Sequence, residues 1–205
     1  MKKIRVLVVG CGNMGSSHAR AYDKLDEFEL VGIVDSKKEA VDAFNKSVGG
    51  NYRHFADYAA ALAEAKPDAV AICTYPNSHE LLAIQAIEAG CHVFVEKPIS
   101  STVEGALRVA DFAKKHGKKV VVGYILRHHP SWMKFIELAH KLGKPLVMRM
   151  NLNQQSHGKA WNVHKNLLHS LTPIVDCGVH YADVMCQMTR SKPVRVSGIS
   201  AKVSD

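Results

Sequence analysis

Short apolar runs alternate with amphipathic stretches along the first 125 residues, and the alternation predicts strand, helix, strand, helix. Ile4 to Val9 reads as a strand, Met14 to Leu25 as a helix, and Phe28 to Val34 as a second strand closed by Asp35. Helices are expected over Lys38 to Lys46 and Asp57 to Ala65, the second ended by Pro67. Ala69 to Cys73 is the next strand, followed by a helix from Ser78 to Ala89 that Gly90 stops. His92 to Val95 and Val120 to Val122 read as strands around a helix over Val103 to His116. On that helix Val103, Ala106, Leu107, Ala110 and Ala113 mark the expected apolar face. The strands are continuous apolar runs, as strands covered by helices on both faces must be. The predicted class is α/β, with an N-terminal doubly wound parallel sheet of Rossmann type over residues 1–125.

Beyond residue 125 the pattern changes. A helix is expected from Ser131 to Leu142, then a strand from Leu146 to Leu152 in which Val147, Arg149 and Asn151 alternate with apolar neighbours. Residues 153–171 are polar and rich in His and Asn. A further helix starts with Thr172 as cap and Pro173 in its first turn, and Val194 to Val203 reads as another strand. This second region, 126–205, reads as a partial domain: one helix and two strands have little core of their own, so the chain reads as a fragment or as a domain completed elsewhere.

Hydrophobic residues make up 47% of the 205-residue chain and charged residues 22%, which fits a packed globular core. No apolar stretch is long enough to span a membrane, and the start lacks a signal-peptide pattern, so the expected compartment is the cytoplasm. Five cysteines without a CxxC pair point to reduced thiols. The net charge of +8 is spread over scattered basic residues, which argues against nucleic acid and suits an anionic ligand. The histidines at 157, 164, 169 and 180 match no standard zinc spacing, so no metal is expected.

Gly10-Cys11-Gly12-Asn13-Met14-Gly15 fits GxGxxG in the context that gives the motif meaning, after a strand and opening a helix. Such a loop brings backbone N–H groups and a helix N-terminus to a pyrophosphate. Asp35, twenty positions after Gly15 and followed by Ser36, can accept from the ribose hydroxyls and repels a 2′-phosphate, which favours NAD over NADP. Lys37 and Lys38 offer the counter-reading, a pair of cations for that phosphate.

Three further segments, Thr74-Tyr75-Pro76-Asn77-Ser78-His79, Glu96-Lys97-Pro98 and Asp176-Cys177-Gly178-Val179-His180, occur in this order after the glycine motif. With them the chain resembles the glucose–fructose oxidoreductase / inositol dehydrogenase family (Gfo/Idh/MocA), and Gly123 to Pro130 resembles its post-sheet segment. The resemblance implies a second α/β domain on a mostly antiparallel sheet that commonly forms oligomer contacts, and so a homo-oligomer. It also implies a cis Lys97-Pro98 peptide, dinucleotide contacts from Thr74, Tyr75, Pro76, Asn77, His79, Glu96 and Lys97, and action at the substrate by Lys97, Asp176 and His180. The Leu168 to Pro173 stretch departs from the glycine-rich run that many members carry before the last motif.

The chemistry fits. Hydride removal from a secondary alcohol needs a base near neutrality, and His180 is the candidate. Asp176, four residues earlier on one helix face, can orient the imidazole or bind a substrate hydroxyl, and Asp183 extends the stripe. Lys97 can hold the reacting oxygen or share the proton relay. Arg127, Trp161 and Asn162 are candidate sugar or polyol contacts, with His128 and Trp132 behind them, and Cys177 reads as a small buried apolar residue. The expected activity is an NAD-dependent dehydrogenase of a sugar or cyclic polyol. Its rivals are a silent NAD-binding sensor and an enzyme that uses bound NAD for transient oxidation.

Overall fold

The computed structural model describes residues 2–151, 157–167, 171–172 and 174–199. Six parallel strands form one sheet: β1 (Ile4–Val9), β2 (Phe28–Val34), β3 (His54–Phe55), β4 (Ala69–Ile72), β5 (His92–Val95) and β6 (Val120–Val122). Their order, β3-β2-β1-β4-β5-β6, reverses direction between β1 and β4. This is the Rossmann arrangement, in which ligands bind outside the carboxyl ends of the strands at the reversal.

Helices α1 (Asn13–Lys24), α2 (Lys38–Val48), α3 (Tyr58–Ala65), α4 (His79–Glu88) and α5 (Val103–Lys115) cover the sheet. Successive strand residues point to opposite faces. Val6, Val8 and Ala71 therefore pack with Ala19 of α1 and Val41 and Phe44 of α2. Leu7, Val9, Val70, Ile72, Val93 and Val95 pack on the other side with Ala61, Ala83, Ile87 and Val109. A register shift in β1 pairs Val6 with Leu30 but Leu7 with Gly32. The extra residue in β2 puts Leu30 and Ile33, three apart, on the same face. Asp57 accepts from the Ala60 N–H at 2.7 Å and Thr102 from the Gly105 N–H at 3.0 Å, caps worth about 1 kcal/mol each.

Several expectations need correction. The buried side of α5 is Gly105, Val109 and Ala113, with Leu107 58% exposed. A Cβ at position 105 would lie 2.1 Å from Glu80 Oε2 and 2.2 Å from Ser100 Oγ, so close seating of Gly105 sets the rotation of the helix. The two-residue β3 was too short to show a pattern, and part of the polar 153–171 stretch is a helix, α7 (Gly158–Leu167).

α6 (Pro130–Lys141) forms as expected, and α8 (Val179–Thr189) follows one π-helical turn, Ile174–Gly178. Residues 146–151 form no strand, although their alternation is real: Met148 and Met150 pack against Ala139, Val184 and Met188 while Val147 and Arg149 face solvent. Residues 194–199 form none either, and Val194 is fully exposed. A strand needs a neighbour for its N–H and C=O groups, and among the described residues neither segment has one, so the expected antiparallel sheet is not formed there. Leu152, Pro173 and residues 200–205 lie outside the described residues.

The central strands carry the stability. Ile72→Ala is expected to lower unfolding free energy by about 2–5 kcal/mol, against less than about 0.5 kcal/mol for Val121→Ala, whose side chain is 53% exposed; urea denaturation measures both.

Candidate active site

All six strands run the same way, so the segments that follow them meet at one edge. Gly10 leaves β1 with φ of +90°, a conformation that an L side chain resists. A Cβ on Gly15 would stand 1.7 Å from the Gly10 carbonyl oxygen, so α1 can start this close to the loop only with glycine there. Gly12, Asn13 and Met14 are exposed on the same loop. Asp35, at the end of β2, accepts from the Cys11 N–H at 2.7 Å and the Lys37 N–H at 2.8 Å. The carboxylate is thereby fixed beside the loop, with Ser36 exposed next to it. Lys38 is turned along its own helix, its Nζ donating to both oxygens of Asp42 at 2.7 and 2.8 Å.

Beyond β4, Thr74 and Ser78 share a hydroxyl hydrogen bond of 2.7 Å around the single turn Pro76–Ser78, and Tyr75 and Asn77 are exposed. His79 is 0% exposed, its Nδ1 2.7 Å from the Pro98 carbonyl and its Nε2 3.0 Å from that of Thr74. Both ring nitrogens face carbonyls inside the protein, and none of the side chain reaches the surface.

Glu96 and Lys97 leave β5, and the Lys97-Pro98 peptide is cis. Lys97 Nζ donates to the Asp176 backbone carbonyl at 2.6 Å and to Asp176 Oδ1 at 2.8 Å. The π-helical turn makes this bond possible by carrying Asp176 over the sheet edge. Within it the N–H groups of Val175 and Asp176 donate to the Thr172 carbonyl. Asp176 is therefore the partner of Lys97.

His180 lies one turn further on, edge-on to Tyr124 with centroids 6.3 Å apart. Burial holds its pKa below the usual histidine value, and the Lys97 charge lowers it further, against smaller upward pulls from Glu96, Asp183 and Asp176. Its Nδ1 is buried and has no hydrogen-bond partner among the described residues. Unpaired buried nitrogens cost about 1–3 kcal/mol and are rare away from functional positions.

The structure brings Lys97, Asp176, His180 and Glu96 together. It commits Arg127 elsewhere: the guanidinium makes two bonds to Asp183, at 2.8 and 2.5 Å, and lies 5.1 Å from the Tyr124 ring centroid. Trp161, on α7, is exposed, and the Asn162 side chain lies outside the described residues. His128 is exposed and Trp132 packs beside Tyr181. Cys177 is only half-buried, its thiol 3.6 Å from Asp176 Oδ2. Sequence reasoning missed His18, whose Nε2 is 2.8 Å from Glu96 Oε1. A histidine three residues after Gly15, on the packed side of α1, was the available signal. Among the described residues no cluster of three or more His, Cys, Asp or Glu could hold a metal, and no helix is long and apolar enough to cross a membrane.

Comparison with known proteins now decides the family. Residues 4–124 match the family model described as an oxidoreductase family with an NAD-binding Rossmann fold. The chain belongs to the Gfo/Idh/MocA oxidoreductases. It is 30% identical over 187 residues to D-glucoside 3-dehydrogenase of Escherichia coli K12, covering 88% of this chain and 52% of that protein. It is 28% identical over 176 residues to an inositol 2-dehydrogenase/D-chiro-inositol 3-dehydrogenase of Halalkalibacterium halodurans, covering 82% and 51%. The chain thus spans about half the length of these relatives.

Among solved structures, an NAD-binding protein from Listeria innocua superimposes with a TM-score of 0.71 at 30% identity, over 90% of this chain and 54% of that one. GenD2 of gentamicin A biosynthesis, solved in complex with NAD, gives 0.63 at 29% identity, over 68% and 39%. Myo-inositol 2-dehydrogenase of Lactobacillus plantarum shares the fold, with a TM-score of 0.78 at 20% identity over 94% and 58%.

The depressed His180 pKa has a testable origin. In a nuclear magnetic resonance titration its midpoint falls below that of a free histidine, and Lys97→Met raises it by removing the second of the two depressing causes. The unfolded chain binds this proton more readily than the folded one. The contribution to stability is therefore complete above the unfolded pKa and is lost as pH falls through the folded pKa. An unmoved midpoint in Lys97→Met would assign the whole depression to burial.

Proposed function

We propose that this chain binds NAD(H) and takes part in oxidising or reducing a secondary hydroxyl of a cyclic polyol, sugar or sugar derivative. In this reading residues 1–125 hold the dinucleotide and residues 126–205 face the substrate. The observation that carries it is the triad at the sheet edge, where the Lys97 ammonium is bonded to Asp176 beside a largely neutral His180 with a buried, unpaired nitrogen. The names of relatives that act on glucosides and inositols support the substrate class.

The loop fits a dinucleotide. Gly10 and Gly15 leave no Cβ between strand and helix, so the N-terminal N–H groups of α1 are open to a pyrophosphate, with Gly12, Asn13 and Met14 around it. Asp35 would hold the adenosine ribose, beside Ser36. Its negative charge, together with the commitment of Lys38 to Asp42, supports NAD over NADP. Thr74, Tyr75, Pro76 and Asn77 would border the dinucleotide further along the edge, with Glu96 and Lys97 at its reactive end. Nicotinamide, when bound, supplies the hydride acceptor or donor.

The protein's own part is proton handling and orientation. An ammonium has three donors, and Lys97 spends two on Asp176, so the third is left for the reacting oxygen. A positive donor there stabilises the alkoxide character that develops as the hydroxyl proton leaves. His180, neutral at physiological pH, takes that proton, and in the reverse direction returns it. Asp176 keeps the ammonium from swinging onto the imidazole and balances its charge.

With NAD+ and a panel of inositols and glucosides, His180→Ala is expected to lower turnover at least about a hundredfold while NADH affinity changes less than about threefold. Production of NADH by the variant at the parental rate would remove His180 from the reaction. Asp35→Ala is expected to weaken NADH binding far more than NADPH binding, measured by fluorescence titration. An unchanged ratio of the two affinities would show that Asp35 does not read the ribose.

A further inference from the structure

Neither His18 nor His79 reaches the reacting groups, yet each bonds one flank of the Glu96-Lys97-Pro98 turn. Strand alternation explains the first contact. Phe94 and Glu96, two apart, lie on the α1 side of the sheet. There the His18 ring packs on Phe94 with centroids 4.7 Å apart and places Nε2 2.8 Å from Glu96 Oε1. The other carboxylate oxygen, Oε2, accepts the Lys97 backbone N–H at 3.3 Å. Gly123 closes the remaining side: a Cβ there would come within 3.1 Å of the carboxylate. Glu96 is 6% exposed. On the far flank, the fully buried His79 ring sits between the Pro98 carbonyl, 2.7 Å from Nδ1, and the Thr74 carbonyl, 3.0 Å from Nε2, and so wedges the turn against the segment after β4.

We infer that His18 and His79 are positioning residues that clamp the Glu96-Lys97-Pro98 turn from both sides and so fix where the Lys97 ammonium is delivered. The reason is electrostatic as much as steric. A buried carboxylate is tolerated when paired and hydrogen-bonded. Without His18, Oε1 of the buried Glu96 carboxylate loses its hydrogen-bond donor one residue from Lys97, and so becomes a rival to Asp176 for the ammonium. Without His79, the ring that spaces the Pro98 carbonyl from that of Thr74 is gone, and with it the packing of the turn on that segment. The inference deepens the proposed role of Lys97 and rests on that reading only for its catalytic meaning, since the clamp itself concerns a bond already present in the protein.

The test follows the Nζ–H signal of Lys97 in a 1H–15N spectrum of the 205-residue chain, which is seen while the ammonium is shielded by its bonds to Asp176. Lys97→Arg assigns the signal and Asp176→Asn serves as the control that abolishes its salt bridge. His18→Gln, whose amide nitrogen can take the place of Nε2, is expected to keep the signal. His18→Asn, too short to reach Glu96, is expected to lose it or broaden it severalfold with the thermal unfolding transition retained. His79→Gln supplies the second flank, with partial broadening expected because the slimmer amide fills only part of the space the ring holds between the two carbonyls. Should His79→Gln not fold, the His18 pair decides alone.

Identical Lys97 signals in wild type, His18→Gln and His18→Asn would overturn the proposal, as would equal loss in both His18 variants. A parallel NADH fluorescence titration of the wild-type chain separates this from the functional reading. Binding of NADH with an unmoved Lys97 signal sinks the clamp alone. A lost signal in His18→Asn without NADH binding by the wild type sinks the dinucleotide reading and leaves the clamp standing.

Discussion

The contact between the Lys97 ammonium and Asp176 joins two parts of the molecule that the chain keeps 79 residues apart. One partner leaves a strand of the parallel sheet, and the other rides on a π-helical turn beyond it. The Lys97 end of the site depends on that bond. It holds the turn over the carboxyl edge, places the charge that adds to burial in depressing the pKa of His180, and leaves one ammonium donor unspent. Both side chains are largely buried, at 19% and 14% exposed, so the attraction is far less screened than at a surface.

The sheet half was legible because its rules are local. Continuous apolar runs gave the buried strands, glycines and Pro67 gave the stops, and the loop from Gly10 to Gly15 stood where a strand becomes a helix. The errors there were those of scale and rotation. β3 has two residues and so no period, while the buried face of α5 was misread because the close seat of Gly105 against Glu80 and Ser100, not the largest apolar side chains, orients the helix. The alternation of residues 146–151 was also real in the sense that Met148 and Met150 pack and Val147 does not. A strand, however, is a property of two segments, and the sequence of one segment does not supply the other.

In the site, residue types were legible and partnerships were not. Asp176 and His180 four apart suggested a carboxylate orienting an imidazole, whereas the carboxylate belongs to Lys97. Arg127 suggested a contact to a sugar or polyol, whereas Asp183 holds its guanidinium through two bonds. Long-range pairs of this kind depend on where the sheet edge and α8 meet, which no spacing along the chain encodes. The same holds for His18, which became visible only once strand alternation had turned Glu96 toward α1.

The proposed chemistry depends on where a dinucleotide lies. A crystal structure of this chain with NAD+ tests it most directly. The pyrophosphate is predicted against Gly10 to Gly15, the adenosine ribose on Asp35, and the nicotinamide ring within contact distance, about 4 Å, of Lys97. A dinucleotide bound away from the carboxyl edge, or with its nicotinamide turned from Lys97 and His180, would contradict it.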